Sequence, residues 1–212
     1  MKHLYVTLIV PAAVAIPLVA GLYNKVYSNK PLRIIFFYLL FSGISDLVAR
    51  TLGVRGINNL PLLHIYTLIE FLIMMAYFHN GLKLAGGPQF TTITVLFTLL
   101  TILNFVFIQD IYHYNSYPRS IAALVIICYS IQFFIKKSQL PQRSWRTEPA
   151  NWVVGGIMVY FCNSFLYFAF LNVINELASL SIYFFLGGLH ATFVLLMYLL
   201  ISIGFLVYKH ER

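Results

Sequence analysis

Charge is scarce in this 212-residue chain: only 9% of its residues are charged and only six are acidic. Soluble domains carry about 25% charged residues, so these few charges could not cover the surface of a water-soluble globule. The chain has two cysteines, Cys128 and Cys162, both inside apolar runs, which excludes a small domain held together by disulfides. Disorder is excluded too, because 17% of the residues are aromatic and disordered segments are poor in aromatic side chains.

Long hydrophobic runs are abundant instead, and the mean hydropathy is +0.83. A bilayer core about 30 Å thick needs ~20 apolar residues for each helix that crosses it. The sequence therefore predicts an all-α integral membrane bundle of seven transmembrane helices, as one domain over residues 1–212 and without a soluble domain. The predicted spans, numbered 1 to 7, are Leu4–Tyr23, Leu32–Val48, Pro61–Phe78, Phe90–Ile108, Ser120–Ile135, Asn151–Leu171 and Ile182–Val207.

The basic residues between the spans predict the orientation of the bundle. Ten of the fourteen lysines and arginines fall on the side that holds the C-terminus, and four fall on the other side. Positive charge in short loops stays in the cytoplasm, so we expect the N-terminus outside and the C-terminus inside. The basic cluster follows span 1 instead of preceding it, so we expect this helix to be retained and not cleaved as a signal peptide.

Ionisable residues inside membrane spans are costly and usually face the interior of the bundle, where they are candidates for function. Here they are Asp46 in span 2, His64 and Glu70 in span 3, and His190 in span 7. Every lysine lies outside the spans. Because span 7 has no lysine before Lys209, a retinal protein, which binds its chromophore through a lysine of the last helix, is excluded.

Polar and small residues follow the helical period in the last two spans, which indicates one polar face on each helix. In span 6 this stripe consists of Tyr160, Asn163, Ser164 and Tyr167, and in span 7 of Tyr183, Gly187, His190, Ala191, Val194 and Tyr198. At a rise of 1.5 Å per residue, Glu70, His190 and Asn163 lie ~12–13 Å below the outer surface, whereas Asp46 and Asn104 lie at ~7 Å or less.

These positions predict an outward-facing polar pocket for a ligand, lined by Asp46, His64, Glu70, Asn104, Asn163 and His190. We expect Glu70 to pair with His190, or alternatively to make a structural interhelical hydrogen bond. Asp46 and Arg50 have the i,i+4 spacing of an ion pair. We expect no cofactor and no metal ion, although the same carboxylates and histidines leave a zinc site as a weaker alternative.

Four short pieces of the chain, Lys30–Pro31, Ser45–Asp46, His64 with Tyr66, and Gly156 to Ser164, resemble the lysoplasmalogenase-like membrane hydrolases. The resemblance implies an intramembrane hydrolase of lipids or lysolipids in which Asp46 is the first residue to test. The chain departs from that family by having Asn163–Ser164 where an acidic residue is typical, and by having seven predicted helices instead of eight.

The sequence leaves four functional classes open. The leading hypothesis is a receptor, sensor or accessory subunit that binds a small molecule or a lipid. The others are an intramembrane lipid hydrolase, a small transporter or channel, and a purely structural subunit of a larger complex. We expect membrane lipids as partners, together with a cytoplasmic or membrane protein that docks on Lys136–Glu148. Nucleic acid is not expected as a partner, because the basic residues are scattered over short loops. A bacterial inner membrane is the expected location.

Overall fold

The computed structural model describes residues 4–84, 86–139 and 144–209, without the side chain of Asn172. These residues form helices and turns but no strand, and seven of the helices are long and apolar enough to cross a membrane. The predicted seven-helix, multi-pass membrane protein is thereby confirmed. The seven helices are α1 (Tyr5–Tyr23), α2 (Lys30–Val54), α3 (Leu60–Gly81), α4 (Gly87–Phe107), α5 (Ser116–Ser138), α6 (Pro149–Ala169) and α7 (Leu180–Val207).

Most helices extend beyond the spans predicted from hydropathy. The prediction ended span 2 at Val48, but α2 continues to Val54; it began span 5 at Ser120, but α5 begins at Ser116. Span 6 was predicted to reach Leu171, yet α6 ends at Ala169 and a separate short helix follows over Leu171–Leu177. Hydropathy marks the residues that tolerate lipid, whereas a helix continues into the interface wherever its backbone hydrogen bonds are satisfied.

Side-chain caps fix the starts of two helices. The Asn29 side chain accepts a hydrogen bond from the backbone N–H of Leu32 at 3.2 Å, and Pro31 follows in the first turn of α2. Ser179 caps α7 in the same way, accepting from the backbone N–H of Ile182 at 3.4 Å. Such caps satisfy N–H groups that have no partner within the helix.

The first helix, α1, is irregular where prolines interrupt it. It begins as a π-helical segment over Tyr5–Ile9, continues as a short α-helical segment over Val10–Ala12, and resumes α-helical geometry at Ala15 after a break at Ala13 and Val14. The break lies four residues before Pro17, at the carbonyl with which a proline ring clashes.

Glycines allow α6 and α7 to pack closely. A Cβ atom on Gly204 would lie 2.9 Å from the carbonyl oxygen of Pro149, and one on Gly156 would lie 3.2 Å from that of Met197. In addition, α6 packs against α5, α1 packs against α7, and α2 contacts α3. This arrangement leaves a cleft that α1, α2 and α3 border on one side and α7 on the other.

Large apolar side chains fill the bundle beyond this cleft, towards the end at which α3 finishes and α7 ends. The fully buried ones there include Phe71, Met74, Met75, Tyr77, Phe78 and Phe205. The packed core thus lies in the half of the bundle away from the beginning of α1, and the cleft lies in the other half.

Candidate functional site

The cleft has a volume of about 1570 Å³ and extends from the end of the bundle where α1 begins towards its middle. Its walls come mainly from the first half of α1, the second half of α2, the start of α3 and the first two-thirds of α7. All six residues of the stripe predicted on span 7 line it, from Tyr183 to Tyr198. Seven further residues of α7 line it as well, so the cleft does not single out one face of this helix, and the predicted polar face stays a prediction.

The six predicted ligand-binding residues do not form one pocket. Asp46 and His190 line the cleft. Glu70 and Asn163 do not line the cleft themselves, but each is hydrogen-bonded to a residue that does. The other two, His64 and Asn104, do not border it. Whether the lining residues bind a ligand stays a prediction.

Glu70 is buried between α2 and α3, with 3% of its surface exposed. Its Oε1 atom accepts hydrogen bonds from the hydroxyls of Tyr38 at 2.8 Å and Tyr66 at 2.9 Å. The Tyr66 hydroxyl also lies 3.2 Å from Ser42 Oγ. The expected pairing of Glu70 with His190 is wrong, because the two tyrosines take the carboxylate instead. The contact with Tyr38 is the interhelical hydrogen bond that formed the structural alternative.

His190 is held by α6. Its Nδ1 atom lies 2.9 Å from Nδ2 of Asn163, and its ring stacks on that of Tyr167 with 4.6 Å between centroids. The rings of Tyr160 and Phe168 lie at 5.8 and 5.4 Å. Because an amide Nδ2 can only donate, Nδ1 accepts and the proton of the neutral imidazole is on Nε2. This leaves an N–H donor on the side chain that borders the cleft.

Asp46 and Arg50 form the i,i+4 pair that their spacing predicted, with 2.6 Å between Oδ2 and Nε. Arg50 also donates from Nη1 to the carbonyl oxygen of Thr7 in α1 at 2.9 Å. Near the same end of α1, the Tyr5 hydroxyl lies 3.0 Å from Thr192 Oγ1 of α7. These contacts tie the start of α1 across the opening of the cleft.

His64 and Asn104 instead hold the loop between α4 and α5. The Nε2 atom of His64 lies 3.0 Å from the carbonyl oxygen of His113, to which it must donate. Asn104 donates to Gln109 at 3.1 Å. From the same loop, Asn115 donates to Thr67 Oγ1 at 2.7 Å. The geometry gives these side chains a structural role.

The same loop supplies one side chain to the cleft. Tyr114 lines it, as does Tyr183 of α7. Burial, together with the neighbouring Tyr183, raises the pKa of the Tyr114 phenol above its usual value. The Tyr114 hydroxyl therefore remains protonated near neutral pH and borders the cleft as a neutral polar group.

The residue that the sequence analysis missed is Arg119. It was counted among the loop cations, but it lies in the first turn of α5, is 8% exposed and borders the cleft. Its guanidinium lies 4.3 Å from the ring centroid of Phe168 and 5.5 Å from that of Tyr66. Pro118 was the signal that could have placed it, because proline is favoured in the first turn of a helix and rare further in.

The carboxylates and histidines do not converge on a common point. Among the described residues no group of three or more histidine, cysteine, aspartate or glutamate side chains could hold a metal ion. The zinc alternative required His64, Glu70, His190 and Asp46 together, and each of these has a different hydrogen-bond partner. Cys128 and Cys162 are both free thiols.

No protein-family model, curated protein or solved structure shows a significant match to this chain. The resemblance to lysoplasmalogenase-like hydrolases therefore depends on the short motifs alone. Its key position, Asp46, is engaged in the ion pair with Arg50.

Proposed function

We propose that this protein is a membrane-embedded binding protein, acting as a receptor, sensor or accessory subunit, that holds an amphipathic molecule such as a lipid in the cleft. The observation that carries the proposal is the cleft itself. At about 1570 Å³ it exceeds the ~300–1,000 Å³ of ordinary small-molecule sites. A molecule with a hydrocarbon chain would fill more of this volume than a small polar molecule would.

The lining changes character along the cleft in a way that suits an amphipathic ligand. Near the start of α1 it carries the polar side chains of Asp46, Arg50 and Tyr5, whereas further in it carries apolar ones such as Val14 and Met197. A chain placed against the apolar part would be removed from water, and a polar headgroup would remain among the polar side chains of the lining. Apolar burial contributes roughly 25 cal/mol per Å².

This geometry favours binding over two of the alternatives. A hydrolase using Asp46, Glu70 and His190 would need an acid or base joined to a nucleophile. Within the described part of the chain, each of these side chains is instead hydrogen-bonded to a separate partner. A channel would need a polar path through the bundle, but apolar residues pack the half beyond the cleft.

The charge bias of the loops supports an orientation with the cleft opening outside the cell. The bacterial inner membrane is part of the same proposal. Lys2, Arg143 and Arg212, which were counted for this bias, lie outside the described residues.

A docking partner would complete a receptor or a sensor, and the segment 136–148 is proposed as its site, of which residues 140–143 lie outside the described residues. Lys137 pairs with Glu148 at 3.4 Å and Trp152 donates to the Arg146 carbonyl at 3.0 Å, so residues 146–148 are held against the end of α5 and the start of α6.

Filling the cleft tests the proposal. Gly187 and Gly188 line it, and a Cβ atom on either would meet nothing within 4 Å, so both positions have room for the first atom of a side chain, and leucine is the residue chosen to fill the cleft. Gly155 of α6 has the same free space but does not line the cleft, which makes Gly155→Leu the matched control.

The measurement is thermal stabilisation by dodecanol, a chain with a neutral headgroup, for protein in nanodiscs of phosphatidylcholine. Ligand bound to the folded state raises its stability by mass action. We expect wild type and Gly155→Leu to be stabilised, and Gly187→Leu and Gly188→Leu to be stabilised less. Equal stabilisation of all four proteins, or none for wild type, would refute the proposal.

A further inference from the structure

We infer that the cleft recognises an oxyanion, the carboxylate or phosphate headgroup of an amphipathic molecule, through Arg119 of α5. This inference rests on the proposed function and names the ligand class for the same cleft. Its basis is the Arg119 side chain, which is more than nine-tenths buried and borders the cleft. Most of its N–H donors have no acceptor among the described residues.

The hydrogen bonds of Arg119 are incomplete. A guanidinium has five N–H donors and is always charged. Within the described part of the chain it makes one hydrogen bond, from Nη2 to the Tyr160 hydroxyl at the long distance of 3.4 Å. Its Nη1 is buried without any partner. Buried polar groups are nearly always satisfied in proteins, so unused donors beside a cleft indicate an acceptor that comes from a ligand.

The neighbouring polar groups are donors as well. The Tyr160 hydroxyl accepts from Arg119, so its own proton is available to a third group. His190, whose ring lies 5.8 Å from that of Tyr160, has its Nδ1 occupied by Asn163 and keeps a donor at Nε2. Arg119, Tyr160 and His190 belong to α5, α6 and α7. Three helices therefore bring donors to one wall of the cleft, and such a set fits a ligand made of acceptors.

Glu70 is the acidic side chain near this cluster, but it does not satisfy the arginine. The salt bridges between described residues are those of Asp46 with Arg50 and of Lys137 with Glu148, so Glu70 and Arg119 are not within 4.0 Å. Tyr66 contacts both: its hydroxyl donates to Glu70 and its ring lies 5.5 Å from the guanidinium. The Glu70 carboxylate thus accepts hydrogen bonds from tyrosine hydroxyls and not from Arg119. Most N–H donors of Arg119 are therefore left for another acceptor.

The surroundings of Arg119 would make the interaction strong. The ring of Phe168 at 4.3 Å holds the cation by a cation–π contact and keeps water from it. A charge-assisted hydrogen bond in such a place is about twice as strong as a neutral one, and a carboxylate or a phosphate matches the guanidinium fork with two parallel bonds.

The test compares headgroups on one chain length, in nanodiscs of neutral phosphatidylcholine. The probes are dodecyl phosphate, dodecanol and inorganic phosphate, and the readout is the apparent Kd from thermal stabilisation. The proteins are wild type, Arg119→Gln, and Arg55→Gln as the matched control. Arg55 is an exposed arginine at the same end of the bundle and does not line the cleft, so its loss changes the surface charge alone.

For wild type we expect dodecyl phosphate to bind at least about tenfold more tightly than dodecanol, and Arg119→Gln to lose that advantage while Arg55→Gln keeps it. Binding of inorganic phosphate with the same affinity as dodecyl phosphate would identify the ligand as a free oxyanion and overturn the amphipathic part of the inference. Equal binding of dodecyl phosphate and dodecanol by wild type would overturn the inference but leave the proposed function standing. Failure of both amphiphiles would refute the proposed function itself. The comparison within wild type does not depend on whether Arg119→Gln folds.

Discussion

The hydroxyl of Tyr38 should contribute to the stability of the bundle, whereas that of Tyr77 should not. Both side chains are buried, with 1% and 0% of their surface exposed. Tyr38 donates to Glu70 at 2.8 Å and so joins α2 to α3. The Tyr77 hydroxyl has no hydrogen-bond partner among the described residues. Replacing each tyrosine by phenylalanine removes one oxygen and leaves the ring in place.

The expected magnitudes follow from these contacts. A hydrogen bond to a charged group contributes about 1.5–3 kcal/mol in soluble proteins, but interhelical hydrogen bonds in membranes average ~0.6 and reach ~1.7 kcal/mol. Glu70 keeps its bond from Tyr66 in the Tyr38→Phe variant, so we expect a loss of about 1–2 kcal/mol. Tyr77→Phe removes an unsatisfied buried hydroxyl and should be neutral, or stabilising by up to about 1 kcal/mol.

Reversible unfolding in mixed dodecyl maltoside and dodecyl sulfate micelles, followed by circular dichroism, measures both variants against wild type. Glu70→Gln provides the second arm: a neutral amide is a weaker acceptor than a carboxylate, so Tyr38→Phe should cost less in that background. The reasoning would be refuted if Tyr77→Phe lost as much stability as Tyr38→Phe, because the loss would then come from the ring environment and not from the hydrogen bond.

Three further variants test the packing, the loop and the opening of the cleft. Gly204→Ala should lower the free energy of unfolding by about 1–3 kcal/mol, because its Cβ would lie 2.9 Å from a backbone oxygen. Gly155→Ala should instead leave it unchanged or raise it by up to ~1 kcal/mol. Equal losses of unfolding free energy in the two variants would contradict this. His64→Ala should speed amide exchange over residues 108–115 without changing dodecanol binding, since its contact is with the loop; weaker binding would give it a role in the cleft. Arg50→Ala releases the carbonyl of Thr7, so exchange at the start of α1 should accelerate, and an unchanged rate would show that this contact does not hold the helix.

Elements whose signal is local were predictable from the sequence. The seven helices follow from hydropathy, because each crossing of the hydrocarbon core needs ~20 consecutive, mainly apolar residues. The pair of Asp46 and Arg50 follows from i,i+4 spacing on one helix. In each case a single helix contains all the information.

Contacts between helices were harder to predict, and Glu70 shows why. Depth placed it near His190, and both depths were reasonable, but depth does not give the rotation of one helix about another. The carboxylate instead accepts hydrogen bonds from Tyr38 of α2 and from Tyr66 of α3 itself. Hydropathy treats a tyrosine in a membrane span as an apolar or interfacial residue. It therefore does not predict that the tyrosine hydroxyl donates to a buried acid.

Arg119 shows how the same limit affects a candidate site. Its environment comes from Tyr66 of α3 and from Tyr160 and Phe168 of α6, which lie about forty to fifty positions away in the sequence. Desolvating a cation costs several kcal/mol, and cation–π contacts return only about 0.5–2 kcal/mol each. Rings alone therefore compensate this burial poorly. An anion in the adjacent cleft would complete the compensation, which is why a buried guanidinium with unused donors indicates a ligand.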